Sequence, residues 1–175
     1  MRITYFVHGT SLDNDSHISS GWHDVSLSEK GFKETKEAAR KLIPNSFDIV
    51  ICSDLLRARQ SADILFPDTK IIYDKRLREC NYGIFNGTNH KNIQYKDHIK
   101  EPFSNGESLV DVEKRIRDLV DEIKTKYHDM RIALVAHRAP QLAFEVIANH
   151  RSWLEAIKND WRLIGSWQLG WDYEI

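Results

Sequence analysis

The sequence predicts an α/β fold, a three-layer α/β/α sandwich built on a mainly parallel sheet. Two observations predict it. Short apolar runs alternate with longer segments of helical periodicity from one end of the chain to the other, the pattern of strand–helix–strand units. No repeat, low-complexity tract or Pro/Gly-rich linker divides the 175 residues, a length that buries one core without disulfides or metal staples. A single domain over 1–175 is expected, carrying a short lid-like insertion at about 84–106.

The elements follow in order. Residues 3–7 (ITYFV) are a compact apolar run ending at His8-Gly9, a buried strand followed by a loop. Ser28 is placed to cap a helix through GFKETKEAARKLI, with Phe32, Ala38, Ala39, Leu42 and Ile43 at apolar positions. Residues 48–52 (DIVIC) form a second strand, and Ser53 is placed to cap the helix DLLRARQSADILF. Residues 70–73 form a third strand. The stretch 79–106 is irregular, with a short helix expected in KNIQYKDHIK. Ser108-x-x-Asp111 has capping-box spacing and opens a long amphipathic helix through Tyr127. RIALVA (131–136) is the fourth strand and ends at His137. Pro140 suits a first helical turn, so a helix over 139–149 follows. A helix near 152–163 and a strand near 166–173 complete the chain.

Composition excludes several function classes. The formal net charge is -1, so nothing global suits nucleic acid or an anionic membrane surface, and anion binding must come from a local cluster of cations. Cys52 and Cys80 lack a pairing pattern and read as reduced thiols. The apolar start is too brief for a signal peptide or a membrane span, so a cytoplasmic location is the default. The histidines other than His8 and His137, among them His17, His23, His90 and His98, lack metal-ligand spacing and read as surface residues. No metal or other cofactor is expected.

In parallel sheets ligands bind beyond the carboxyl ends of the strands. His8 and His137 both follow apolar strands directly, and Ser53 follows a third that leads to Arg57. A histidine at a strand end is, taken alone, more often a partly buried residue bonded to a carbonyl than a catalyst. Two of them with Arg57 and the carboxylate Glu79 form a stronger set, because phosphoryl transfer needs a nucleophile, cationic donors and an acid.

These residues lie in motifs. FVHGTSLDN (6–14) resembles the opening motif of the histidine-phosphatase (phosphoglycerate-mutase-like) superfamily, usually Arg-His-Gly, with His8, Gly9, Ser11 and Asn14 in register. Gly21-Trp22, Asp24, Leu27-Ser28 and Gly31 match that family's next stretch. SDLLRARQSA (53–62) resembles its arginine-bearing helix, RLRECNYGIFNG (76–87) its general-acid segment, SNGES (104–108) its Gly-Glu-Ser, and LVAH (134–137) the approach to its second histidine. The matches keep the family's order along nearly the whole chain.

The resemblance implies a metal-independent phosphomonoesterase acting on a small phosphorylated metabolite. His8 is the implied nucleophile, forming a phosphohistidine, and Glu79 the implied acid and then base. Arg57 and His137 hold the phosphoryl oxygens, joined by Gly9, Ser11, Asn14 and backbone N–H groups. Tyr82 and Phe85 lie near the implied pocket, although packing is their simpler role. Two alternatives remain open. One is a mutase, favoured by the spacing of Glu79-Cys-Asn-Tyr82-Gly83 but disfavoured by the short stretch at 88–105. The other is a degenerate domain that binds a phosphorylated ligand or a protein without turnover.

Two positions depart from the family. Val7 stands where the arginine before the nucleophile is usual, a donor whose loss costs about 2 to 4 kcal/mol of transition-state stabilisation. Arg138 follows His137 where glycine is usual. Either Arg138 swings into the pocket and replaces the missing guanidinium, or it points to solvent or pairs with a carboxylate on its own loop. Arg59 lies on another helix face. With one cation fewer, His8 protonates more readily than beside the usual arginine, which predicts activity falling on the acid side. Trp153, Ile157 and Trp161 share a helical face suited to core or to subunit contact, the basis for a homodimer.

Overall fold

A computed structural model describes residues 1–165 and 168–175. Along the chain run β1 (Arg2–Val7), α1 (Leu12–Asp15), β2 (Ile18–Ser19), α2 (Glu29–Ala39), β3 (Ile49–Cys52), α3 (Leu56–Leu65), β4 (Ile71–Tyr73), β5 (Thr88–Asn89), α4 (Leu109–Lys126), β6 (Ile132–Ala136), α5 (Arg138–Ile147), α6 (Trp153–Lys158), α7 (Trp161–Ile164) and β7 (Trp171–Glu174). The main sheet has the order β4-β3-β6-β1-β7, with β7 alone antiparallel. Every residue of β3 and β6 is buried, as expected of strands covered on both faces. In β7 Trp171 and Tyr173 point inward while Asp172 and Glu174 are exposed, the alternation of an edge strand.

Two apolar layers flank the sheet. One face buries Ile3, Tyr5, Ile51 and Leu134 against Ile116, Ile123, Leu142 and Phe144 of α4 and α5. The other buries Phe6, Val50 and Val135 against Ala58, Ala62 and Leu65 of α3, with Ala38 and Ala39 of α2 alongside. This is the expected α/β/α sandwich.

Caps define most boundaries. Ser28 accepts from the Gly31 N–H at 3.2 Å, and Ser108 and Asp111 form the predicted capping box. Three expectations need correction. Ser53 does not cap α3, which starts at Leu56 and draws its acceptor from Asp24, whose Oδ1 takes the Leu56 N–H at 2.7 Å. The helix expected over 152–163 is two helices, because Asp160 interrupts it and caps α7 through the Arg162 N–H at 2.9 Å. The helix expected in KNIQYKDHIK is a pair of 3-10 turns, His90–Asn92 and Tyr95–His98. The final strand begins at Trp171, and Ser166 and Trp167 of the expected 166–173 segment lie outside the described residues.

The stretch at 84–106 is anchored to the body. Its β5 pairs antiparallel with β2, and Tyr95 and Phe103 are buried in the core. Trp153 and Ile157 face that core as well, with the Trp153 indole N–H donating to Glu113 at 2.7 Å. No helix among the described residues is long and apolar enough to cross a membrane.

The loop after β1 is fixed by a close backbone approach. A Cβ on Gly31 would lie 1.9 Å from the Thr10 carbonyl oxygen, and one on Gly9 would lie 2.4 Å from Thr35 Oγ1. Only glycine lets the start of α2 sit against the residues that follow His8.

Candidate active site

His8 ends β1 and continues its ladder, its N–H donating to the Ala136 carbonyl at 3.1 Å. The neighbouring strand β6 ends at the same level and delivers His137, so the two imidazoles meet with centroids 5.0 Å apart. The Tyr5 hydroxyl locks the second turn, donating to the His137 carbonyl at 2.8 Å and accepting the His137 N–H at 3.2 Å.

Hydrogen bonds define the state of His8. Its Nδ1 lies 2.6 Å from the Gly9 carbonyl oxygen, a pure acceptor, so Nδ1 carries the proton. Its Nε2 accepts from Arg57 Nε at 3.3 Å and therefore presents a lone pair. Burial, and next the Arg57 charge, hold the pKa of His8 well below the ordinary imidazole range, with the more distant Arg162 acting in the same direction. The acid-side loss of activity expected from Val7 is displaced accordingly. In an NMR titration the His8 ring is expected to titrate below the ordinary imidazole value of about 6.5. A midpoint at or above that value would contradict the geometry.

Arg57 reaches His8 from the first turn of α3 and is 2% exposed. Nη2 donates to the Gly21 carbonyl at 2.8 Å and Nη1 to that of His23 at 3.1 Å. Its donors are held by neutral acceptors rather than by a carboxylate ion pair, which leaves the charge available to an anion. One turn later Ser61 accepts the Gly9 N–H at 3.1 Å and donates to the Arg57 carbonyl at 2.8 Å, tying the His8–Gly9 loop to the helix. Ser61 was not among the sequence candidates, although its spacing of four from Arg57 puts both on one face.

His137 is fully buried, and burial together with Arg57 and His8 holds its pKa well down. Its Nε2 lies 2.8 Å from Ser53 Oγ, while Nδ1 has no partner among the described residues. No other acceptor for the Ser53 hydroxyl is found among those residues. The hydroxyl thus donates to Nε2, and the proton of His137 sits on the unpaired Nδ1.

The Glu79 carboxylate meets the first N–H groups of α5. Its Oε1 accepts the N–H groups of Cys80 and Ala139, both at 2.9 Å, and its Oε2 accepts that of Arg138 at 3.2 Å. Its own carbonyl is gripped by the Trp22 indole at 2.8 Å and by Arg115 at 3.0 Å.

Of the remaining sequence candidates, Gly9 and Asn14 line an open cavity beside His8. Asn14 uses its Oδ1 to accept the Ser11 N–H at 3.1 Å, so its amide donors are what it offers the cavity. Ser11 is fully buried as the N-cap of α1 and does not line the cavity, where the sequence had suggested a phosphate ligand. Tyr82 is also in the core, its hydroxyl 2.7 Å from that of Tyr95. Arg138 does not swing into the pocket. Its guanidinium pairs with Asp160, 22 residues away, and lies 4.6 Å from the Tyr95 ring centroid. His17 and His90, read as plain surface residues, are exposed at the cavity wall.

The cavity has a volume of about 570 Å³. Phe6, Val7 and Leu65 give it an apolar side, and Trp161 and Arg162 face it from α7. Among the described residues there is no cluster of three or more His, Cys, Asp or Glu side chains suited to a metal ion.

Comparison with known proteins identifies the family. The profile of the Histidine phosphatase superfamily (branch 1) matches residues 5–161. A Hydrogenobacter thermophilus protein named "Putative phosphoserine phosphatase 2" is 30% identical over 152 residues, covering 78% of this chain and 73% of that one. A 2,3-bisphosphoglycerate-dependent phosphoglycerate mutase of Actinobacillus succinogenes is 36% identical over 96 residues. That match covers 51% of this chain and 42% of the mutase, so the chain spans less than half of that relative. The solved mycobacterial glucosyl-3-phosphoglycerate phosphatase superposes with a TM-score of 0.78 at 27% identity, over 89% of this chain and 85% of the other. With two strand-end histidines side by side, one of them bonded to a buried arginine, and a family profile covering nearly its whole length, this chain belongs to the histidine phosphatase superfamily.

Proposed function

We propose that the chain hydrolyses a small phosphomonoester through a phosphohistidine on His8. The observation that carries this reading is the protonation pattern of His8, whose Nδ1 proton is held by the Gly9 carbonyl while Nε2 keeps its lone pair beside Arg57. A neutral imidazole so oriented is an activated nucleophile.

In the first step Nε2 attacks phosphorus, the bond to the ester oxygen breaks, and Glu79 in its protonated form supplies the proton that the departing alcohol needs. In the second step water attacks the phosphohistidine, Glu79 takes a proton from it, and the N–P bond breaks to release inorganic phosphate. A phosphoryl group on Nε2 replaces the Arg57 Nε contact and brings its oxygens to the guanidinium. The unpaired Nδ1–H of His137 and the amide of Asn14 are the further donors proposed for them. The open cavity at His8 admits water, which favours hydrolysis over a mutase that must retain its phosphoryl group.

The test is phosphate release from sugar, nucleotide and hydroxy-amino-acid monophosphates, combined with rapid denaturing quench. Turnover of at least one ester and an acid-labile, alkali-stable phosphoryl group on the peptide containing His8 are expected. Absence of phosphate release from every ester would reject hydrolysis.

A further inference from the structure

Val7 leaves the end of β1 without a guanidinium, and Val7, His8 and Arg162 line the same cavity. Arg162 is the second residue of α7, a helix whose start is fixed when Asp160 accepts the Arg162 N–H. Its side chain is exposed and makes no ion pair among the described residues. Its guanidinium carbon lies 5.2 Å from the centroid of the Trp161 ring. Arg138, by contrast, is committed to Asp160 and to Tyr95.

We propose that Arg162 is the second phosphoryl-binding guanidinium of this site, reaching across the cavity to supply the donor that Val7 lacks. The assignment rests on the phosphatase proposed above. The planar fork of an arginine can bind two phosphoryl oxygens at once, and each nitrogen of Arg57 already spends a donor on His8 or a carbonyl, so a second guanidinium supplies donors that Arg57 has committed elsewhere. The charge of Arg162 reaches the reacting groups, since it contributes to keeping both His8 and His137 neutral. The same segment thus does two things. Asp160 takes Arg138 out of contention and orients the backbone that carries Arg162.

Orthovanadate, a phosphate analogue, tests the proposal independently of turnover. Its affinity is measured by calorimetry for the wild type, Arg162→Ala, Arg162→Lys and the double variant Val7→Arg/Arg162→Ala, with kcat/KM for the best ester alongside. Arg162→Ala is expected to weaken vanadate binding at least about tenfold and to lower kcat/KM about 10²-fold. Arg162→Lys should fall between, because a point charge replaces the fork. An arginine restored at position 7 should recover most of the loss. Wild-type vanadate affinity in Arg162→Ala, or a loss that Val7→Arg does not recover, overturns the assignment. If the wild type hydrolyses nothing yet Arg162→Ala weakens vanadate binding, the phosphatase reading fails while the Arg162 site stands.

Discussion

Replacing His8 by alanine is expected to lower the rate of phosphate release by about 10⁴-fold or more while leaving the fold in place. The large effect follows from the proposed chemistry, because removing the proposed covalent nucleophile leaves only binding and electrostatic contributions to turnover. The small structural effect follows from the surroundings. His8 makes one side-chain bond to the adjacent Gly9 carbonyl and one to Arg57, whose other donors stay on the Gly21 and His23 carbonyls. Its truncation therefore costs Arg57 one weak acceptor and opens the wall of a space already accessible to water. Phosphate-release kinetics and thermal melts of the two proteins measure both halves. A residual rate within tenfold of wild type would show that another group forms the covalent intermediate or that none forms.

Asp160→Ala is the counterpart for stability. The Asp160 side chain is wholly inaccessible, while that of Arg138 is 19% exposed. The carboxylate also accepts the Arg162 N–H as the cap of α7. Truncation leaves a largely buried guanidinium with no counter-ion and only the Tyr95 ring beneath it. The loss expected on breaking such a pair is about 3 to 5 kcal/mol, which for a chain of this size is a fall in Tm of about 10 °C. Asp160→Asn keeps a capping oxygen and should lose less. Urea unfolding of the three proteins measures the differences. A loss below about 1 kcal/mol for the alanine variant would mean that Tyr95 and solvent hold Arg138 without the carboxylate.

Much of this architecture was legible from local chemistry. The Ser28 cap and the Ser108–Asp111 box occur where their spacing puts them, because a cap is decided within four residues. His8 and His137 were legible because each ends an apolar run, and strand ends of a parallel sheet converge. What escaped was decided by tertiary partners. Ser53 has the chemistry of a cap, but its hydroxyl is taken by His137, 84 residues away, and Asp24 serves α3 instead. Arg138 has the chemistry of a phosphate ligand, but Asp160 reaches it first, and the Asp160 that captures it also breaks the helix expected over 152–163. Tyr82 occupies the expected motif yet is paired with Tyr95 in the core. The cavity-facing position of Arg162 had no sequence signal, since it depends on where that break turns the chain.

The neutral histidine pair also makes the folding reaction itself a proton exchange. In the unfolded chain His8 and His137 titrate near pH 6.5, whereas burial and Arg57 keep both folded-state values well below that. Well above pH 6.5 neither state binds a proton at these rings and they take nothing from stability. As the pH falls through 6.5 toward the folded values, the unfolded chain takes up protons that the native one refuses. Each histidine then withdraws stability at a rate approaching about 1.4 kcal/mol per pH unit. Native protein formed at mildly acid pH must release those protons, so acid acts as a ligand of the unfolded state, and the imidazoles proposed to handle phosphate set an acid boundary for the fold.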